Sequence, residues 1–164
     1  MKFAKVRDVK SPVRGTSKAA GIDFFVPNGG NNKGFILRPG ADVLIPSGIK
    51  MNIPEGYMLM AADKSGVVTS AYASIGAGRK PKPEAFDSIV ILGAKIVDED
   101  YQGEIHIHLI NVGKASVHIK PGMKIAQFIL VPVSYEGLEE VPESELFSES
   151  SERGDGAFGS TGAY

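Results

Sequence analysis

Turn punctuation constrains this chain most. Pro and Gly fall together at Pro39-Gly40, Pro46-Ser47-Gly48, Pro54-Glu55-Gly56 and Pro121-Gly122, with short apolar runs between and around them. Pro fixes φ and has no N–H, and Gly accepts positive φ, so each cluster ends an element and turns the chain. With 20 Gly and 10 Pro in 164 residues, little room is left for amphipathic helices. One short helix over residues 67–75 is the most the pattern allows. The expected fold is therefore all-β, a sandwich or barrel of short strands in meander or Greek-key order. The length suits one domain with a core that needs no staples.

Absent residue types narrow the chemistry. With no Cys there is no disulfide, thiolate metal site or cysteine nucleophile. A net charge of -1 disfavours a strongly basic nucleic-acid binder, though a single nucleotide needs only a local cluster of donors. No apolar run reaches the length of a membrane span, and the first twenty residues carry Lys and Arg without an apolar stretch. A soluble, cytoplasmic protein with no membrane and no nucleic-acid partner is expected.

Taken in order, residues 2–6 alternate and read as an edge strand, and 10–19 as a loop. Residues 20–27 form a second strand in which Asp23 sits among apolar neighbours and by default faces solvent. A loop at 28–34 leads to strands divided by the Pro-Gly turns. The last of these ends in Asp63, Lys64, Ser65 and Gly66, which can offer an ammonium, a hydroxyl and backbone N–H groups to a phosphate or simply make a turn. Residues 76–83 read as an exposed loop. Apolar runs at 88–92 and 94–97 flank Gly93 and suggest a tight hairpin, followed by Asp98, Glu99, Asp100 and Tyr101. Three adjacent carboxylates must be solvated, metal-bound or catalytic.

Residues 104–110 alternate, which puts Glu104, His106 and His108 on one strand face. That face is read as a polar surface or subunit contact ahead of a metal site, for which His118 is the one further candidate ligand. A buried strand follows the turn at Pro121-Gly122 and is interrupted by Gln127, an amide either satisfied in the core or turned to a polar site. Residues 136–152 hold seven Glu and no basic residue, a solvated arm. The final stretch, RGDGAFGSTGAY, reads by itself either as a disordered tail or as a flap that orders over a nucleotide. The domain expectation is a β-barrel over 1–135 and an arm with a glycine-rich flap over 136–164.

AGIDF, ADKSG, VDEDYQGE, GMKIAQFILVPV and RGDGAFGSTG together resemble, in order, the five motifs of the trimeric dUTP pyrophosphatase (dUTPase) family. The resemblance covers almost the whole chain, and five ordered motifs are specific where one is weak. It implies a distorted jelly-roll β-barrel assembled as a homotrimer with shared active sites, and hydrolysis of dUTP to dUMP and pyrophosphate. That reaction keeps uracil out of DNA and supplies dUMP for dTMP synthesis. Asp98 matches the general base, and Tyr101 the residue that packs on deoxyribose and excludes ribose. Leu92, Lys95 and Val97 fall in the hairpin that reads uracil largely with backbone groups. Lys64, Ser65, Gly66 and Gln127 match triphosphate contacts. Arg153, Gly159, Ser160 and Thr161 match the flap's phosphate-binding residues, while Phe158 matches the aromatic that stacks on the base. Mg²⁺ is the implied cofactor, carried by the triphosphate with no direct protein ligand.

The departures are specific. Lys64 stands where Arg is usual and lacks its planar fork, Lys95 and Ala157 replace Gly, Leu92 replaces Asn, and the stretch around 76–86 is longer than is typical. A 5-substituted dUTP, deamination of dCTP, or a non-catalytic regulatory module of the same fold are the alternative readings. The sequence leaves a cellular or viral origin, and so a host cytoplasm, open.

Overall fold

The computed structural model describes residues 1–29, 34–64 and 89–156. It divides into two compact units, Met1–Ser134 and Tyr135–Tyr164. The first contains twelve strands among its described residues, and the described part of the second has one 3-10 turn at Glu143–Glu145. The short helix expected over 67–75 lies outside the described residues.

The strands are β1 (Lys2–Lys5), β2 (Val13–Arg14), β3 (Gly21–Phe25), β4 (Phe35–Leu37), β5 (Asp42–Pro46), β6 (Ile49–Asn52), β7 (Tyr57–Ala62), β8 (Val90–Leu92), β9 (Ile96–Val97), β10 (His106–Asn111), β11 (Val117–Ile119) and β12 (Lys124–Pro132). They form four antiparallel sheets, ordered β1-β6, β5-β10-β8, β11-β4 and β2-β3-β12-β7-β9. A meander is ruled out for the described strands, because β2 and β3 are the only sequence neighbours that pair. The all-β expectation holds, and strands paired across long sequence distances suit a jelly roll.

Turn chemistry sets the strand ends. Gly40, Gly48, Gly56 and Gly122 all have φ between 73° and 77°, a conformation that costs any side chain with a Cβ. These are the glycines of the four Pro-Gly clusters. β1 is an edge strand with every residue exposed. Val13 and Arg14 correct the loop expected over 10–19: they pair with β3, and Arg14 closes the return by donating to the carbonyls of Ala19 and Ala20 at 2.6 and 2.8 Å.

The core is continuous and aliphatic, centred on Phe24, Phe128, Leu59, Ile107, Leu109 and Ile119. Phe24 and Phe128 pack with ring centroids 4.5 Å apart and planes tilted by 50°, a contact that adds to their burial. Buried Asn111 is satisfied, since it donates to the carbonyls of Leu37 and Ala115 and accepts from Gly113 N–H. The two apolar runs about Gly93 are not the hairpin expected. β8 pairs with β10 while β9 pairs with β7, so the chain passes from one sheet to another at this corner. Buried Val90 and Leu92 belong beside β10 in the core, whereas the Lys95 carbonyl accepts from Ala61 N–H at 2.6 Å.

Candidate functional site

The centre of the five-stranded sheet brings four polar side chains to one face by register alone. Gln127 on β12 lies opposite Asp23 on β3 and Ala62 on β7. Paired residues share a face and alternate residues repeat it, so Lys64, two beyond Ala62, continues the face of Gln127. Lys124 would point the other way in a regular strand. A bulge between Lys124 and Ala126 resets the alternation, so that Lys124 pairs with Phe25 and rejoins the face of Asp23.

Asp23 is thus not the solvent-facing residue expected. It is 4% exposed and held by Lys64 Nζ at 2.7 Å and Lys124 Nζ at 2.8 Å. Burial would raise its carboxyl, but the hydrogen bonds and charges of Lys124 and Lys64 outweigh it and hold the group below the usual carboxylate range. Two ammonium groups around one carboxylate leave the cluster with a net positive charge. Each ammonium has three N–H donors, and Asp23 engages one from each.

Gln127 is turned toward the end of β7, where its Nε2 donates to the Asp63 carbonyl at 3.1 Å. Gly21 makes room for it, since a Cβ there would lie 2.2 Å from Gln127 Oε1. The Asp63 side chain ties in the corner between β8 and β9: its Oδ1 accepts from Leu92 N–H at 2.7 Å, and Lys95 Nζ lies 3.6 Å from Oδ2. Leu92 is buried in the core, so only its backbone belongs to this corner; Val97 is half-buried and Lys95 exposed. Lys64, Gln127, Leu92 and Lys95 are therefore linked through Asp63 and Asp23.

Asp98 directly follows β9. It is exposed, and its carbonyl accepts from Tyr101 N–H at 3.2 Å, closing a turn. Glu99 is not solvated in the same way, because its carboxylate accepts from Gly56 N–H at 2.6 Å. Tyr101 folds back over Gly103 and donates its hydroxyl to the Glu104 carbonyl at 2.9 Å. A Cβ on Gly103 would lie 2.4 Å from the ring, so glycine is what lets the ring take this position.

The Glu104, His106 and His108 face is shared among separate partners. Arg7 grips Glu104 with two hydrogen bonds, at 2.7 and 3.0 Å, and Gly48 N–H adds a third; together these hold the Glu104 carboxyl below its usual range. His106 Nδ1 lies 2.8 Å from the Glu104 carbonyl, and His108 Nε2 lies 2.9 Å from Asp42 Oδ2. Among the described residues no three His, Asp or Glu side chains gather as a metal site. In the second unit Arg153 Nε donates to the Gly156 carbonyl at 3.0 Å. Ser65, Gly66, Phe158, Gly159, Ser160 and Thr161 lie outside the described residues.

Sequence reasoning passed over Lys124, Asp63 and the partners of Asp23. Lys124 carried one signal, a Lys three residues before a Gln in an otherwise apolar strand, but without the bulge that spacing puts the two on opposite faces.

Comparison with known proteins fits this geometry. The dUTPase family model matches residues 7–162. The deoxyuridine 5'-triphosphate nucleotidohydrolase of Chlamydia trachomatis is 34% identical over 161 residues, covering 98% of this chain and 97% of its own. The mouse (Mus musculus) protein of the same name is 30% identical over 163 residues, covering 99% of this chain and 85% of its own. Among solved structures, a Staphylococcus bacteriophage 80alpha dUTPase with dUpNHpp superposes with a TM-score of 0.75 at 22% identity, over 98% of this chain and 97% of that one. A phage phi11 dUTPase, described with a structural Mg(II) ion, has a TM-score of 0.67 at 19% identity over 87% of this chain and 96% of that one. The sheet that gathers Asp23, Lys64 and Gln127, the Asp98–Tyr101 turn, and a match along nearly the whole sequence lead to one conclusion: the chain belongs to the dUTPase family of nucleotidohydrolases.

Proposed function

We propose that this enzyme cleaves dUTP to dUMP and pyrophosphate, with Asp98 as the general base that takes a proton from the attacking water. The observation that carries this reading is the positive cluster at the end of β7. Lys64 and Lys124 converge on one buried carboxylate just where the chain enters Ser65 and Gly66. A net cation held on a rigid sheet suits a triphosphate, whose charge must be met by donors in place of water. Asp98 lies in a different setting, exposed and at the head of a turn, and an exposed carboxylate is ionised at neutral pH and able to accept a proton.

Tyr101 is assigned to the deoxyribose, and the corner from Leu92 to Val97 to the uracil. Arg153, Phe158, Gly159, Ser160 and Thr161 are assigned to a flap that closes on a neighbouring subunit's site in a homotrimer and limits water access. Mg²⁺ fits this donor set as an ion carried by the substrate. The buried carboxylate of Asp23 is taken by two lysines, and Glu99 and Glu104 accept from backbone N–H groups and Arg7. Phosphate oxygens are the hard ligands Mg²⁺ prefers, and the bound ion would offset negative charge on the triphosphate.

The test is a product profile. Purified protein with Mg²⁺ is offered each deoxynucleoside triphosphate and UTP, and pyrophosphate and ammonia are measured. Pyrophosphate from dUTP ahead of all others is expected, with most activity lost when residues 153–164 are deleted. Ammonia from dCTP, or tight nucleotide binding without products, contradicts the proposal.

A further inference from the structure

The corner between β8 and β9 rests on a histidine that has no part in the reaction proposed above. His108 alternates with the core residues Ile107 and Leu109 on β10, and its ring lies against the corner. Gly93 N–H donates to the His108 carbonyl at 3.0 Å, and Ala94 N–H is directed at His108 Nδ1 at 3.4 Å. On the far side of the ring, Nε2 lies 2.9 Å from Asp42 Oδ2. A ring nitrogen that accepts from a backbone N–H carries no proton, so these partners select the neutral tautomer with its hydrogen on Nε2, donated to Asp42. Asp42 is placed for this by register: it pairs with Ile110, two residues along β10 from His108.

Gly93 adds an independent observation. A Cβ built there would lie 2.2 Å from His108 Nδ1, far inside any real contact. Gly93 is not among the glycines with positive φ, so its lack of a side chain answers to the imidazole and not to the backbone. The corner is thus fixed from behind. The N–H groups of Leu92, Gly93 and Ala94 are all committed, the first to Asp63 and the other two to His108.

We infer that His108 is a positioning residue for base recognition: its ring, oriented by Asp42, sets the placement of the Gly93 and Ala94 backbone. The inference rests on the proposed function, in which this corner reads the uracil. His108 touches no substrate, so its loss acts on binding and selectivity and leaves proton transfer at Asp98 alone.

Steady-state kinetics on dUTP and dCTP, with melting curves for each variant, test this. His108→Leu is expected to raise KM for dUTP about three- to tenfold, the effect of one lost hydrogen bond and a loosened backbone, with kcat within about twofold. The preference for dUTP over dCTP falls with it. His108→Asn, whose Oδ1 can accept from Ala94 N–H, restores most of the loss. Gly93→Ala imitates His108→Leu in the parent chain but adds little once His108→Ala has cleared the space, a non-additivity expected of groups in contact. Lower melting temperature with unchanged KM in His108→Leu overturns the inference, as does equal behaviour of Leu and Asn. If His108→Leu does not fold, Gly93→Ala must still raise KM and His108→Asn must not. A parent protein inactive on dUTP sinks the proposed function, whereas an active parent with KM indifferent to His108 sinks only this inference.

Discussion

Asp23 and Asp98 are the same side chain put to opposite uses. Asp23 lies on a central strand, buried, with a lysine on each carboxylate oxygen. Asp98 opens a turn on the surface, its side chain exposed. A buried, doubly paired carboxylate cannot take up a proton without leaving two ammonium groups facing each other, so Asp23 is unsuited to proton transfer. It is well suited to holding Lys64 and Lys124 in place. Asp98 carries no such constraint, and its carboxylate is open to water. Chemistry needs an accessible base, while orientation needs a satisfied one, and the fold supplies the two from different places.

The sharpest way to break the comparison is to remove each carboxylate in turn. Asp98→Ala is expected to lower kcat on dUTP by about 10²–10⁴, the usual worth of a positioned base. Its melting temperature should stay near that of the parent, because an exposed turn residue contributes little to stability. Asp23→Ala should do the reverse in kind. Breaking a buried pair costs about 3–5 kcal/mol, and since both lysines here reach solvent, about 2–4 kcal/mol is the expectation, read by denaturant unfolding. Activity would fall as well, through disordered lysines, and with KM raised. A stable Asp23→Ala protein would show that the cluster is not the strut described.

Acid unfolding gives a second, smaller contrast. The folded-state carboxyl of Asp23 is held below its usual range, so between that value and the unfolded one near ~4 the unfolded chain binds more protons. Its stabilisation is therefore present above the unfolded value and lost as pH falls through the folded one. Glu104, held down by Arg7, adds in the same direction. Stability measured from neutral pH downward should decline steeply in the parent and more gently in Asp23→Asn, and should not change slope in Asp98→Asn. The smallest expected effect is at Gly103. A methyl group there meets the Tyr101 ring, so Gly103→Ala should erode discrimination of dUTP against UTP a few-fold, the scale of one lost contact, with little change in melting temperature.

How far the sequence reveals this depends on the distance over which each feature is decided. The four Pro-Gly turns were legible because positive φ is a local demand that Gly meets locally. The alternation of β10 was legible for the same reason, since one strand face repeats every second residue. Strand pairing was not, because partners such as β12 and β3 are brought together only by the whole fold. The burial of Asp23 was hidden for a related reason. Its partners Lys64 and Lys124 lie far along the chain, and one of them reaches it only through a bulge. The corner at Gly93 misled in the other direction, since two short apolar runs about a glycine look like a hairpin whether or not they enter the same sheet. Asp98 and Tyr101 were found through a motif, which records chemistry and not packing, and the partners that hold their neighbours Glu99 and Gly103 emerged only from coordinates.

The central claim is that Asp98 acts on the reaction and not on binding or folding. Asp98→Asn keeps the size and polarity of the side chain and removes its basicity, so a paired measurement on that variant is the most direct test: the Kd for dUTP in the presence of Mg²⁺, and the single-turnover rate of pyrophosphate release. The account predicts a Kd within about twofold of the parent and a rate lower by about 10² or more. Parent-like release of pyrophosphate by Asp98→Asn would contradict it and move the base to another residue.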